Sequence, residues 1–282
     1  MKQRVVMVVG AVLVALLASQ CQRRAAHEES PLPAISGEDV IQRFRQQFSR
    51  RPFSARIKIS FPGDEAAPEE ILVRVLHRPS ADETRTFMQI VSPVSESKQA
   101  VLVIERPGQK TDVISYLPGL RRIVRLSTGR RLSYKGVSVS VQELIGGELY
   151  NYDHTLTGVQ VIDGVPTYVV ESHLKADRES DYPRMVGFYR QDTFLPMMVE
   201  LYNVRGERER IARFTEITTV EGQPTIRRVE VESVPDGRHF TLETLEVTYE
   251  ELPEALFTEA HLIEVVTRAA QEILRGQPAV IR

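Results

Sequence analysis

The sequence has 282 residues, of which 42% are hydrophobic and 26% charged, with a formal net charge of -2. That balance excludes a bulk electrostatic attraction to nucleic acid or to anionic lipid, so a charged partner must be met locally. A single cysteine excludes an intramolecular disulfide and any zinc set that needs a second thiolate.

Lys2 and Arg4 precede the apolar run Val5 to Ala18, the order of a secretory signal. Fourteen helical residues reach about 21 Å, short of the ~30 Å hydrocarbon core, so a spanning helix is the poorer reading. Cys21 follows directly, and LLASQC resembles a bacterial lipoprotein signal, in which that thiol is diacylated and the new amino terminus acylated. Gln20 stands where Gly, Ala or Ser is usual, which leaves an unlipidated cleaved signal and an uncleaved anchor as the other readings. Two or three buried acyl chains, at ~0.8 kcal/mol per CH₂, hold a protein durably on a membrane. Gln22, in place of an Asp after the cysteine, points by analogy to the outer membrane. The expected division is a signal segment over 1–21, a polar tether over 22–36 with Pro31 and Pro33, and one domain over 37–282.

From Gly37 the period becomes helical, with Val40, Ile41, Phe44 and Phe48 on one face, Ser36 as N-cap and Pro52 as terminator. Strand-like runs follow at Ser54 to Phe61, Glu70 to His77, Thr84 to Val91, Gln99 to Glu105 and Thr111 to Leu117. Ala100 to Ile104 is apolar on both faces, which predicts a covered strand. Turns are marked at Pro62-Gly63, Pro107-Gly108, Asp163-Gly164, Arg205-Gly206 and Asp236-Gly237, so most neighbouring strands are expected to be antiparallel. Phe240 and Leu242 are in one phase and Leu245, Val247 and Tyr249 in the other, which predicts a bulge near Glu243 or Thr244. Thr258 can cap a last helix whose broad apolar face is Leu262, Ile263, Val266, Ala269, Ala270, Ile273 and Leu274, ending before Gly276.

Pro118-Gly119 centres a turn between VISYL and RRIVRL. Arg121, Arg122, Arg125, Arg130, Arg131 and Lys135 then fall close together with no acid among them. On alternating positions Arg121 and Arg125 share a face and could grip a phosphate, a headgroup or an acidic partner surface. The equal alternative is a solvated hairpin edge whose cations resist strand pairing. Signals for catalysis are lacking: there is no phosphate-cradling glycine loop and no nucleophile elbow, and the six histidines are scattered, so neither an enzyme, a metal site nor a cofactor is expected.

The run VISYLPGLRRIVRL, followed by Tyr134 beside Gly136, resembles the LolA-like outer-membrane lipoprotein-sorting family. So does GFYRQDTFLPMMVELYNVRGERER, with Leu195, Pro196, Tyr202 and Gly206 at matching places. The resemblance spans roughly Val73 to Leu262 and departs after Gly136, where Val137, Val139, Val141 and Gln142 replace the usual aromatic and acidic residues. It implies a mainly β (α+β) fold, a curved antiparallel sheet forming an incomplete β-barrel, with an N-terminal helix, a short helical lid and a C-terminal helix. It further implies an apolar cavity for lipid acyl chains or an acylated lipoprotein, lined by Tyr116, Leu117, Leu120, Tyr134, Leu144 and Ile145, with the arginine cluster near its mouth. A filled core is the competing reading of those positions. The expected setting is the periplasm-facing envelope, with a membrane anchor at Cys21, an inner-membrane transporter as a possible partner, and no nucleic acid. The alternative function is an envelope sensor or interaction module that docks a membrane protein through the basic hairpin or the last helix.

Overall fold

The computed structural model describes residues 34–48, 51–61, 69–126, 131–134, 137–140 and 149–275. The chain divides into two units, Met1–Ala34 and Ile35–Arg282, and the architecture below belongs to the second. In chain order its strands are β1 (Phe53–Phe61), β2 (Glu69–Pro79), β3 (Thr84–Ser92), β4 (Ala100–Glu105), β5 (Asp112–Leu117), β6 (Arg122–Leu126), β7 (Arg131–Tyr134), β8 (Val137–Ser140), β9 (Tyr152–Ile162), β10 (Val165–Leu174), β11 (Arg184–Arg190), β12 (Pro196–Tyr202), β13 (Arg208–Val220), β14 (Gln223–Ser233) and β15 (His239–Thr248). The helices are α1 (Gly37–Phe48) and α2 (Glu259–Arg275), with short 3₁₀ turns at Val94–Glu96, Leu149–Asn151 and Glu254–Phe257.

Thirteen strands form one sheet in the order β6-β5-β4-β3-β2-β1-β15-β14-β13-β12-β11-β10-β9, and β7 and β8 pair separately. Every pairing is antiparallel, as the turn chemistry predicts. The order is chain order bent into a ring and cut between β6 and β9. Two meanders, β1–β6 and β9–β15, are spliced by the pairing of β1 with β15. The result is an incomplete barrel.

Local chemistry sets the turns and bends. Gly108, Gly164, Gly206 and Gly237, each the glycine of an expected turn, have positive φ, while Pro62-Gly63 lies outside the described residues. In the β5–β6 loop the Leu120 amide bonds Leu117 O, so Pro118 and Gly119 are the central residues. The left-handed residue is not Gly119 but Arg121, at φ 49°.

The predicted bulge is Leu245: Arg56 pairs with Glu246 and Ile57 with Thr244, leaving Leu245 without an opposite number. Further register shifts interrupt β2–β3, β9–β10, β11–β12, β12–β13 and β13–β14. Repeated bulges bend the strands and raise their twist, which is what curls so wide a sheet. At Leu245 the carbonyls freed from the ladder are taken by one side chain, Arg227, whose Nη1 donates to Thr244 O at 3.0 Å and to Leu245 O at 3.3 Å. Arg227→Met should therefore lower stability by about 1–2 kcal/mol, read as a shift of the urea midpoint.

Both helices begin as their sequences dictate. Ser36 Oγ accepts the Asp39 amide at 3.0 Å while the Asp39 carboxylate accepts the Ser36 amide at 3.2 Å, a capping box. Thr258 Oγ1 accepts the His261 amide at 3.2 Å. Phe257 before the cap and Leu262 after it are both fully buried in one cluster, fixing the entry of α2 as a hydrophobic staple.

The faces of the sheet are distinguished by what covers them. Contacts of α1 reach β9, β10 and β14. Five steps of ~4.8 Å separate β9 from β14, about 24 Å on a flat sheet, so a helix about 10 Å wide meets both only from inside the curl. Val40 and Ile41 of α1 pack with Leu156, Val170 and Tyr189 on this inner face. A cross-strand row, Val170, Gly187, Val199, Ala212, Val231, Phe240, leads from there into a second inner cluster built on Ile59, Phe61, Val73, Val103 and Val113. α2 lies on the outer face, where Leu262 and Val266 join Leu76, Phe87, Leu102 and Ile114. Ala100 to Ile104 is buried throughout because β4 is covered on both sides, as its uniform apolarity predicts.

Candidate functional site

Alternation places one phase of β1–β5, β14 and β15, including Ile59, Val73, Val75, Val231 and Phe240, on the inner face, where Val103 and Val113 have no exposure at all. Partly buried neighbours continue the lining: Phe53, Ile57, Ile90, Leu126, Val229 and Leu242. α1 covers the β9–β11 end. Among the described residues this inner face is the largest continuous apolar feature. A cleft of about 270 Å³ on the outer surface, walled partly by Arg56, Arg74 and Glu246, is crossed by the Arg56–Glu246 ion pair at 3.3 Å and falls below the ~300 Å³ at which ligand pockets begin.

Segments beside β9 and β10 reach across to the β4–β5 end of the other meander. Tyr150, just before β9, donates its hydroxyl to Glu105 at the end of β4 at 2.7 Å. Arg178, in the β10–β11 loop, donates from Nη2 to Gly108 O in the β4–β5 turn at 2.6 Å. Lys175 Nζ steadies the near side by donating to Tyr150 O at 2.9 Å, and Arg45 of α1 lies over the Tyr150 ring, 4.9 Å from its centroid.

Close to this strap the inner face turns polar. His77 is in phase with Val73 and Val75, opposite Thr86, and its Nδ1 is 3.1 Å from Thr86 Oγ1. Its ring stacks on Phe53 with centroids 4.8 Å apart. Burial pushes the imidazole down to about 4, so it is neutral near pH 7. Burial also lowers His154, against the opposing bond from Leu149 O, and lowers His261. A histidine held neutral when folded but titrating near 6.5 when unfolded takes up protons preferentially in the unfolded state between those values. Its stabilising contribution is whole above pH 6.5 and is lost as pH falls toward 4. Stability should thus decline over that window by about 3 kcal/mol from His77 alone, and His77→Leu should flatten the decline in urea titrations at pH 7, 5.5 and 4.5.

The residues singled out from the sequence are dispersed. Arg121 sits in the turn outside the β5–β6 ladder, so it does not share a strand face with Arg125. Arg125 pairs across from Ile114 on the outer face and meets Glu259 of α2 at 3.2 Å, an acid far away in sequence. Arg122 closes the ladder opposite Leu117 and is exposed. Tyr116 alternates with Ser115 and Leu117 and so points outward, packing with the cluster under α2 rather than toward the interior. Leu117 lies at the inner rim, 41% exposed, and Leu120 at the turn, 72% exposed. Arg131 and Tyr134 belong to β7, with side chains outside the description, and Cys21, Arg130, Leu144 and Ile145 lie outside the described residues. Sequence reasoning missed His77, Thr86, Glu105 and Tyr150. The first three stand in phase with buried valines or Met88, a polar residue in an apolar stripe, which was the available signal.

Among the described residues no helix is long and apolar enough to cross a membrane, and no group of His, Cys, Asp and Glu is placed to hold a metal ion.

A family model described as "Uncharacterized protein" matches residues 82–264. No curated protein matches the chain in sequence. Among solved structures, an outer membrane lipoprotein-sorting protein domain from Vibrio parahaemolyticus superposes with a TM-score of 0.72 at 18% identity, covering 80% of this chain and 98% of that one. A DUF1329 family protein from Desulfovibrio piger gives 0.70 at 21% identity, covering 80% and 97%. A LolA superfamily protein from Nitrosomonas europaea gives 0.66 at 20% identity, covering 81% and 100%. At these identities the likeness is one of fold.

Proposed function

We propose, for a chain that belongs to the Uncharacterized protein family matched over residues 82–264 and has the LolA-like fold, a non-catalytic role in the cell envelope. It binds lipid acyl chains, or those of an acylated protein, on the inner face of its sheet and takes part in lipid or lipoprotein transport or sorting to the outer membrane. The observation that carries this reading is the union of a continuous apolar inner face with a sheet left open between β6 and β9. Hydrocarbon laid on such a face loses ~25 cal/mol per Å² of water-exposed area, with no catalytic group required. The same fold in a lipoprotein-sorting domain agrees with it.

In this reading Cys21 carries the lipid anchor, facing the periplasm from the outer membrane, and a tethered protein serves as acceptor or as accessory of an inner-membrane transporter rather than as a free shuttle. The exposed Arg121 and Arg122, beside Leu120, meet headgroups at the rim, with Arg130 and Arg131 following in sequence. Exposure of Leu120 also favours the second reading, docking of a membrane protein through this hairpin. The last helix is the weaker surface for that purpose, since Leu262 and Val266 are spent on its own sheet.

Native mass spectrometry with lipid extraction on Gln22–Arg282 tests the proposal. Stoichiometric acyl lipid is expected. A protein that emerges empty and stays empty when offered phospholipid vesicles and diacylated peptide sinks the carrier reading in favour of the docking module.

A further inference from the structure

The sheet ends in two edges, β6 and β9, and they are not alike. β6 carries Arg122 and Arg125, both exposed, the kind of cation with which edge strands resist pairing. On β9 the stretch from Leu156 to Ile162 has no charged residue, and Val159 and Val161 are 47% and 63% exposed. A bulge brings both valines onto the inner face. Val170 stands opposite Leu156 and Val169 opposite Gly158, so Thr157 is the extra residue. Beyond it Val159 faces Tyr168 and Val161 faces Pro166, in phase with the buried Val170.

The β9–β10 hairpin fixes where the backbone of these valines points. Asp163 and Gly164 both have positive φ, at 49° and 79°, a two-residue turn that makes Ile162 and Val165 a hydrogen-bonded pair. Pairs alternate from there, so Gln160 and Thr167 exchange backbone bonds while Val161 and Pro166, and Val159 and Tyr168, do not. Pro166 agrees: it has no N–H, and its carbonyl turns the other way, accepting the Gln191 amide at 3.0 Å. The N–H and C=O of Val159 and Val161 are therefore aimed out of the sheet, and among the described residues no strand meets them.

We propose that this edge pairs with the same edge of a second copy of the chain, antiparallel about a twofold axis at Gln160. Such a contact requires a strand complementary to itself, and this one is. Val159 of each copy lies opposite Val161 of the other, the pair exchanging both backbone bonds and joining apolar side chains on the inner face. Gln160 meets its own counterpart, with amides that can donate and accept across the axis. Ile162 falls opposite Gly158, where the space exists: a Cβ on Gly158 would touch nothing within 4 Å. Asp163 falls opposite Thr157, so no like charges meet. The valines run the inner faces of the two copies together across the seam, and the pairing does not depend on what that face binds.

The test uses Gln22–Arg282, which contains the whole second unit and no cysteine. A seam this short belongs to the weak class, so sedimentation equilibrium should show monomer and dimer exchanging with a Kd of about 10 μM to 1 mM. Added salt should leave it unmoved, because no charge takes part. Val161→Lys, at an exposed position, should keep the urea midpoint and weaken the dimer about tenfold, two cross-strand pairs being lost. Val159→Glu should do the same, and an equimolar mixture of the two variants should regain dimer, since the introduced lysine then faces the introduced glutamate. With oxidised glutathione, Gln160→Cys should yield a disulfide-linked dimer, its Cα atoms standing about 4.5 Å apart across the axis, whereas Thr155→Cys, also exposed, should not. A chain that stays monomeric at about 1 mM and gives no disulfide through Gln160→Cys overturns the second copy and leaves the edge to an extended peptide of another protein. A dimer that survives both single changes, or that cross-links as well through Thr155→Cys, overturns the seam.

Discussion

Replacing Gly37 by alanine is expected to destabilise the protein by about 2–4 kcal/mol, against the ~1 kcal/mol that alanine gains over glycine in a helix. Gly37 opens α1 where the helix touches β9 backbone to backbone. A Cβ there would lie 2.6 Å from Thr155 C, 2.7 Å from Leu156 N and 2.8 Å from His154 C. None of these atoms can rotate aside, so the start of α1 must lift off the sheet. Val40 and Ile41, now 0% and 1% exposed, would lose part of their packing on Leu156 and Val170. Urea denaturation reads the stability. Since α1 covers one end of the inner face, binding of an apolar dye should rise as the stability falls. An unchanged or raised urea midpoint would show that the approach of α1 to β9 is looser than described.

Gly187→Ala should lower stability by a similar amount, about 2–4 kcal/mol, through a side chain instead of the backbone. The added methyl would run into Cε2 of Tyr189, whose ring lies over the glycine on the inner face. Tyr189 is 4% exposed and packs 5.6 Å, centroid to centroid, from Phe44 of α1, so the ring has no free place to go. Shrinking the obstacle should help: Gly187→Ala with Tyr189→Leu is expected to be less destabilised than the sum of the two single changes. Strict additivity in that cycle would disprove the contact.

The two glycines also show where sequence reasoning reached its limit. Phase and punctuation are local, so the strands of β1–β5 and the caps at Ser36 and Thr258 could be read directly, and the slip was expected near Glu243 or Thr244, next to its place at Leu245. Gly37 and Gly187 looked ordinary, because what makes them necessary is a surface brought up by folding. The same holds for α2. Its apolar stripe demanded burial, but only the completed sheet decides that Phe87, Leu102 and Ile114 receive it on the outer side. Arg125 seemed to want an anion because Glu259 is 134 residues away. In the β5–β6 loop the turn type was underdetermined: Pro118-Gly119 suits a turn with positive φ at glycine, yet the chain places that conformation at Arg121. The site itself was half legible, since an apolar interior follows from alternation but its polar end depends on which strands stand side by side.

The splice of β1 to β15 bears on how the chain reaches this state. Each meander can zip from neighbouring hairpins as it emerges, whereas Ser54 must find Glu250 across 196 residues. Joining ends so far apart costs about 2 kcal/mol more in loop entropy than closing a 20-residue segment, and nothing repays that until the ladder forms. Until then β1 and β15 are both bare edges, open to pairing with other chains. The last seam to close is therefore in the middle of the finished sheet, and the period before it closes is when a newly made copy is most exposed to aggregation.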